Sequence, residues 1–148
     1  MNRVTIYGAG LAGAEAALQL ADNNVKVRIV DCKPNKMSPA HHSTDFAEIV
    51  CSNSFKSKEI TSAGGLFKAE LKILNCKLLQ IAEQNSVDAG GALAVDREKF
   101  SKQVSEILRN HPNITIESYE AEEFLDDEIN IVATGPLTTE KLAQTIKR

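Results

Sequence analysis

The stretch Val4-Thr5-Ile6-Tyr7-Gly8-Ala9-Gly10-Leu11-Ala12-Gly13 decides the fold. A β-rich run ends on the first glycine of a GxGxxG pattern, and the last glycine opens a run of strong helix formers, Ala14 to Ala21. Asn23-Asn24 stops that helix. Val25 to Val30, apolar at 25, 27 and 29, then reads as a second strand with Asp31 at its carboxyl end. A βαβ unit is therefore expected within the first 31 residues.

Each position in the turn has a physical task. Gly8 permits the tight strand-to-helix turn, Gly10 lacks the Cβ that would keep a pyrophosphate off the backbone, and Gly13 lets helix approach sheet; Ala9 sits between the first two glycines. The amides of Leu11, Ala12 and Gly13 open the helix, where they and its dipole attract phosphate oxygens. Asp31 is placed to accept hydrogen bonds from a ribose hydroxyl and would repel a 2′-phosphate, which favours NAD or FAD over NADP. Near the other end, Ile129 to Ala133 reads as a strand running into Ala133-Thr134-Gly135, small and hydroxyl residues that let backbone pass close to a ligand in the sheet's crevice. A closing strand of this kind after an amino-terminal GxGxxG unit resembles the two-dinucleotide-domain flavoproteins, and the resemblance favours FAD over NAD.

Between these ends, Cys32 to Ser62 is irregular and too long for a bland connector. Leu66 to Gln84 is predicted as one helix with Phe67, Leu71, Leu74, Leu78 and Ile81 on a core-facing stripe. After the turn Ala89-Gly90-Gly91, Arg97 to Asn110 is a second amphipathic helix carrying Phe100, Val104, Ile107 and Leu108, closed by Pro112. Ile114 to Ile116 is a further short strand. The acidic stretch Glu117 to Glu128 is expected to form a solvated hairpin or loop.

Composition bounds the function. The 148 residues, 43% hydrophobic and 25% charged, suit one globular domain over 1–148 and exclude fibrous or disordered classes. A net charge of -3 gives no global footprint for nucleic acid, so any RNA contact would be local. Cys32, Cys51 and Cys76 form no CxxC and cannot all pair, which points to free thiols in a reducing compartment. No apolar run is long enough for a membrane span, and the first 21 residues carry Glu15 where a signal peptide would be apolar. The expectation is a soluble, cytoplasmic chain with no membrane partner.

The long segment carries a more specific signal. Lys36-Met37-Ser38-Pro39-Ala40-His41-His42-Ser43-Thr44-Asp45-Phe46-Ala47-Glu48-Ile49-Val50-Cys51-Ser52-Asn53-Ser54, together with Ala89-Gly90-Gly91-Ala92-Leu93-Ala94-Val95-Asp96-Arg97, resembles the folate- and FAD-dependent tRNA (uracil-5-)-methyltransferases. The likeness runs from Val4 to Thr138, and these motifs separate it from the larger tRNA carboxymethylaminomethyl-uridine flavoenzymes. The resemblance implies an α/β, Rossmann-like FAD-binding domain with a parallel central sheet. It also implies a methylene group taken from 5,10-methylenetetrahydrofolate onto reduced flavin and delivered to carbon 5 of a uridine in the T loop of tRNA, with NAD(P)H supplying electrons. Of two cysteines implicated in that chemistry, one maps onto Cys51 and the other has no counterpart here.

The residues themselves leave two readings of Cys51 open. Ser52, Asn53 and Ser54 are N-cap types, so a short helical turn there, with Lys56 nearby, would favour a thiolate. Following Ile49-Val50, Cys51 would otherwise be a small buried apolar residue, the role expected of Cys32 and Cys76. Zinc is disfavoured because His41 and His42, adjacent in an extended segment, point to opposite sides and no fourth ligand is evident. One histidine is expected to face the flavin or folate pocket and the other to hold the loop, while His111 reads as a solvated helix end. Lys33, Lys36, Lys56, Lys58 and Lys68 could meet phosphate or the glutamyl tail of folate, although a solvated basic face is favoured. Arg97 is expected to support the loop through a carboxylate pair.

The chain departs from the family pattern in several places. Asp31-Cys32-Lys33 stands where a glutamate and an arginine are usual, Lys56 where arginine is usual, and Ala63-Gly64-Gly65 loosens the next helix start. Asp for Glu keeps the ribose contact but shortens it, and losing two arginines replaces forked donors with point charges. The family's enzymes are about three times longer, and their chains return to add a last strand and helix to the FAD sheet. The fold expected here is incomplete by that measure, with the tail Thr138 to Arg148 leading toward a missing substrate domain. An incomplete catalyst is expected, with three alternatives open: a ribosomal RNA uridine as substrate, an inert fragment, or a module working with a separately encoded substrate domain.

Overall fold

The computed structural model describes residues 3–148. The opening unit forms as its sequence dictates: β1 (Val4–Tyr7), α1 (Leu11–Asp22) and β2 (Val27–Asp31). β1 is buried along its whole length, as an interior parallel strand should be. It pairs in parallel with β2 on one side and with β7 (Ile129–Val132) on the other, and β2 pairs in parallel with β6 (Ile114–Ser118). The sheet order is β6-β2-β1-β7. This is the expected α/β architecture with a parallel central sheet.

Strand alternation assigns the two faces. Val4, Ile6, Val27 and Ile29 turn toward α1 and α4 (Arg97–Asn110), where Ala14, Ala17, Leu18, Phe100, Val104 and Leu108 complete the main core. Full burial of each large side chain here contributes roughly 1.5–3 kcal/mol. Asp96 caps α4, its carboxylate accepting from Lys99 N–H at 3.1 Å. The opposite face holds Tyr7 and Val30 under Ala121 and Leu142, with Phe124 edge-on to Tyr7 at 5.3 Å. Lower on that face, Arg28 lies 3.3 Å from Glu117 and 3.6 Å from Glu128, and Glu128 accepts from the buried Thr5 hydroxyl.

A second, antiparallel sheet of order β3-β5-β4 is inserted between β2 and α4: β3 (Ser54–Ser57), β4 (Ser86–Val87) and β5 (Ala92–Val95). Between β3 and β4 lie α2 (Ala63–Ile73) and α3 (Lys77–Gln84), and α5 (Glu140–Ile146) ends the fold.

Several expectations are corrected. The helix expected over Leu66 to Gln84 is two helices, broken where Asn75 adopts φ +57°. Glu15 of α1 explains the break: its carboxylate accepts from Lys77 N–H at 3.0 Å and Leu78 N–H at 2.8 Å, so a distant side chain caps α3. Leu78 and Ile81 are buried as expected, whereas Phe67 and Leu74 face outward and Ile107 is at the rim of α4. Of the two forms expected for the acidic segment, the loop is found and not the hairpin, because β6 and β7 pair with different strands; it crosses over with Ala121 buried beneath it. His111 is half-buried rather than a free, solvated helix end: its Nε2 lies 3.1 Å from Asp22.

Candidate functional site

Parallel α/β sheets leave a crevice beyond the carboxyl ends of their strands. Here the ends of β1, β2 and β7 open into a cleft of about 340 Å³. Its floor is the glycine turn. Gly8 has φ +99°, and a Cβ there would lie 2.6 Å from Ala133 O. At Gly13 a Cβ would lie 1.9 Å from Gly8 O, so the helix sits against the turn as the motif requires. Gly10 is different in kind: a Cβ there would meet nothing within 4 Å, because the position faces the open cleft.

The amides of the turn divide into used and unused. Ala14 N–H makes the first bond of α1, to Gly10 O at 2.9 Å, and Gly10 as N-cap offers no side-chain acceptor. The N–H groups of Leu11, Ala12 and Gly13 consequently have no partner within the described residues. Ala9 N–H is committed to Asp31 Oδ2 at 2.7 Å, and Ala9 O accepts from Ala47 N–H at 2.8 Å. Asp31 Oδ1 accepts from Lys33 N–H at 2.8 Å. The expected ribose acceptor is thus fixed by two backbone donors and keeps further lone pairs toward the cleft.

The long segment forms the cleft's far wall, held by α4: Phe46 N–H donates to Ser105 Oγ at 2.7 Å and Ser101 Oγ to Ala47 O at 3.3 Å. Lys33 lines the cleft, but its ammonium is buried and engaged with Asp45 O at 2.7 Å and Glu48 Oε2 at 2.8 Å. Burial alone would raise the Glu48 carboxyl pKa; the Lys33 ammonium and the N–H groups of His42 and Ser43 outweigh it and hold the group below its ordinary range. Lys36 also lines the cleft and pairs with Glu120 at 2.8 Å. Of the two histidines, His41 lines the cleft with Nδ1 against Ser38 Oγ, whereas His42 is exposed and joins the loop through its backbone N–H. Thr134 and Gly135 close the opposite lip, the Thr134 hydroxyl meeting that of Thr138.

Cys51 is not in a helical turn. It is exposed, and β3 follows it, because Ser52 and Ser54 use their hydroxyls in local turns, accepting from Ser54 N–H at 3.3 Å and Lys56 N–H at 3.0 Å. Its neighbour Val50 lines the main cleft, while Cys51 lines a second, open groove with Val95, Asp96 and Arg97. Arg97 donates to Ile49 O at 3.4 Å, a carbonyl rather than the expected carboxylate. Cys76 is buried, and burial raises its thiol pKa. Cys32 was expected only to pack, yet it lines the cleft, its thiol pKa raised by burial and by Asp31 and Glu120. Lys56 and Lys58 are exposed, as a solvated face requires; Lys68 is buried. Sequence reasoning missed Ser38, Glu48 and Tyr119 as cleft residues, and no spacing pattern marks them. Among the described residues no cluster of three or more metal-ligating side chains forms, and no helix is long and apolar enough to cross a membrane.

The family described as "Glucose inhibited division protein A" matches residues 3–146. The chain is 49% identical over 145 residues to a methylenetetrahydrofolate--tRNA-(uracil-5-)-methyltransferase of Ligilactobacillus salivarius and 48% identical over 146 residues to one of Sulfurihydrogenibium. These alignments take in 98% and 99% of the chain, which spans about 33% of the length of each of these curated relatives. Among solved structures, GidA of Aquifex aeolicus superposes with a TM-score of 0.65 at 16% identity, over 84% of this chain and 20% of that one, a likeness of fold.

Proposed function

The chain belongs to the glucose inhibited division protein A family, and from that premise we propose that it is the FAD-binding part of a methylenetetrahydrofolate-dependent tRNA (uracil-5-)-methyltransferase. The observation that carries the proposal is the glycine turn: three unpartnered amides open α1 directly beside Gly10, whose missing side chain leaves a space that nothing in the protein fills. A diphosphate suits that space, since it offers anionic acceptors and demands close backbone approach. Gly8, Ala9, Gly10, Leu11, Ala12 and Gly13 would cradle it, Asp31 would receive the ribose hydroxyls, and Thr134 and Gly135 would pass beside the remainder. When bound, the flavin supplies a carrier for reducing equivalents and for the folate one-carbon unit.

The chain's own residues have separate tasks in this proposal. His41, held by Ser38, faces the cleft and supplies a ring nitrogen to its ligand. His42 and Lys33 act at one remove: His42 N–H and the Lys33 ammonium both anchor Glu48, which fixes the wall of the cleft. Cys51 presents an accessible thiol one residue from that wall and is the proposed nucleophile. Methylenetetrahydrofolate and NAD(P)H are the co-substrates and tRNA the substrate; these assignments draw support from the named activity of relatives at 48–49% identity. The free thiols suit a reducing, cytoplasmic setting.

A second reading, an FAD-binding module without catalysis of its own, is favoured by one observation: Cys51 lines a separate groove rather than the cleft. The absorption spectrum of the purified chain, taken after incubation with FAD and removal of the excess, tests the shared core of both. Visible flavin bands at one cofactor per chain are expected. A folded chain that retains no flavin would refute the cofactor assignment for these residues alone.

A further inference from the structure

α2 keeps a lysine inside and most of its large apolar side chains outside. Its inward face carries Gly65, the buried Lys68 and the half-buried Leu71, while Leu66, Phe67, Ile73 and the following Leu74 point outward around Glu70, Ile73 and Leu74 being 85% and 70% exposed. Ile60, just before the helix, adds to this exposed face. A helix in contact with a core normally hides its apolar stripe and shows its lysines.

The orientation is locked. A Cβ at Gly65 would lie 1.9 Å from Glu59 O, so the helix backbone is pressed against the preceding loop at that point. Ser62 caps the helix, accepting from Gly65 N–H at 3.1 Å. The Lys68 ammonium donates to Ser57 O and Gly64 O, both at 3.0 Å, and Lys72 pairs with Glu83 of α3 at 2.6 Å. Rotating α2 to bury Phe67 would break the Lys68–Ser57 and Lys72–Glu83 contacts and lift Gly65 off Glu59. The outward apolar face is therefore a built feature of the fold.

We propose that this face of α2 is a docking surface for the polypeptide that makes up the other two thirds of the full-length relatives. The proposal rests on the family reading above and adds the place of contact. The relatives share 48–49% identity with this chain across nearly all of its length and carry about twice as much polypeptide again. A cluster of large exposed apolar side chains on one rigid helix is the kind of patch that marks an interface with further polypeptide. A second copy of this chain is the competing occupant.

Solvent access at Ile73 decides the matter. Ile73→Cys is made in the 148-residue chain and in a chimera in which this chain replaces the matched third of the Ligilactobacillus salivarius enzyme. Maleimide labelling is followed by peptide mass, with Lys102→Cys on exposed α4 as reference. Labelling at position 73 should be on the order of tenfold or more slower in the chimera than in the short chain, the reference site changing less. As an independent measure, Phe67→Gln with Leu74→Gln should leave the melting temperature of the short chain unchanged and lower that of the chimera. Equal labelling in both proteins overturns the proposal. So does a chimera without a cooperative melt, since a true docking surface must assemble. Protection at position 73 in the short chain that grows with concentration, with a dimer by light scattering, assigns the face to a second copy instead. A chimera that holds flavin but leaves position 73 open sinks the docking surface alone, and one that protects position 73 but holds no flavin sinks the cofactor reading alone.

Discussion

Gly10 and Gly13 lie three positions apart in one motif, yet alanine should act on them in opposite ways. At Gly13 a methyl group would sit 1.9 Å from Gly8 O, a backbone atom locked by β1 and by Gly8's φ of +99°. Relief requires the helix to shift, and overpacking of this kind costs about 1–3 kcal/mol. For a chain of this size that lowers the melting temperature by roughly 2–4 °C per kcal/mol. At Gly10 the methyl group meets no atom within 4 Å, and φ is -71°, comfortable for any residue. The entropic gain of replacing glycine and the poorer N-cap quality of alanine oppose each other, so stability should stay within about 1 kcal/mol of the parent. Flavin affinity should nevertheless fall at both sites. A methyl group at Gly10 occupies the space assigned to the diphosphate, and each charge-assisted bond lost to it weakens binding by about 1.5–3 kcal/mol, or roughly tenfold to a hundredfold. Thermal melts followed by circular dichroism and FAD titration followed by flavin fluorescence read the two effects separately. A Gly10→Ala protein that melts like the parent and binds FAD equally well would refute the placement of the phosphates.

Three further outcomes are expected of the cleft and of the free thiols. Glu48→Gln leaves the buried Lys33 ammonium without its counter-charge and should cost about 3–5 kcal/mol, seen as a lower denaturant midpoint. Because the folded-state pKa of Glu48 lies below its ordinary 4.5, the stability it confers is present above that pH and lost as pH falls through the folded value; acid melts of the parent should steepen there relative to Glu48→Gln. Asp31→Asn keeps one acceptor for the amides of Ala9 and Lys33 and sets an NH2 group against the other, so the melt should fall by the equivalent of about 1–3 kcal/mol and flavin affinity with it. Of the three thiols, one equivalent should react quickly with a disulfide reagent at neutral pH and map to Cys51, since burial slows Cys76 and burial with two nearby carboxylates slows Cys32. Fast labelling at Cys76 would show that the α2–α3 junction opens.

What was legible in the sequence is what local physics decides. From Val4 to Gly13, strand propensity, glycine sterics and helix propensity agree on one structure, and α4 starts and stops where its periodicity and Pro112 place it. Misreadings arose where a distant group chose between local options. Ser52-Asn53-Ser54 can cap a helix or make hydroxyl turns, and pairing of β3 with β5 selects the turns. Asp31 ends β2 as its sequence position predicts, but its part in holding Ala9 and Lys33 depends on backbone donors with no sequence signature. The break at Asn75 was invisible because its cause, Glu15, lies 62 residues from Lys77.

The outward face of α2 shows the deepest limit of pattern reading, and also its use. Apolar residues spaced from Phe67 to Ile81 state that a surface is covered, not by what. Three residues of that stripe, Leu71, Leu78 and Ile81, meet the core as expected, while Phe67 and Leu74, before the Asn75 break, turn to solvent. A helix selected only to pack on this domain would gain from polar residues at 66, 67, 73 and 74, because each exposed apolar side chain adds an aggregation hazard and no stability. The stripe and the locked orientation of α2 are compatible if both answer to a surface outside the unit. On that account the mismatch between periodicity and burial is information about the partner, and solvent access at Ile73 is where it can be read.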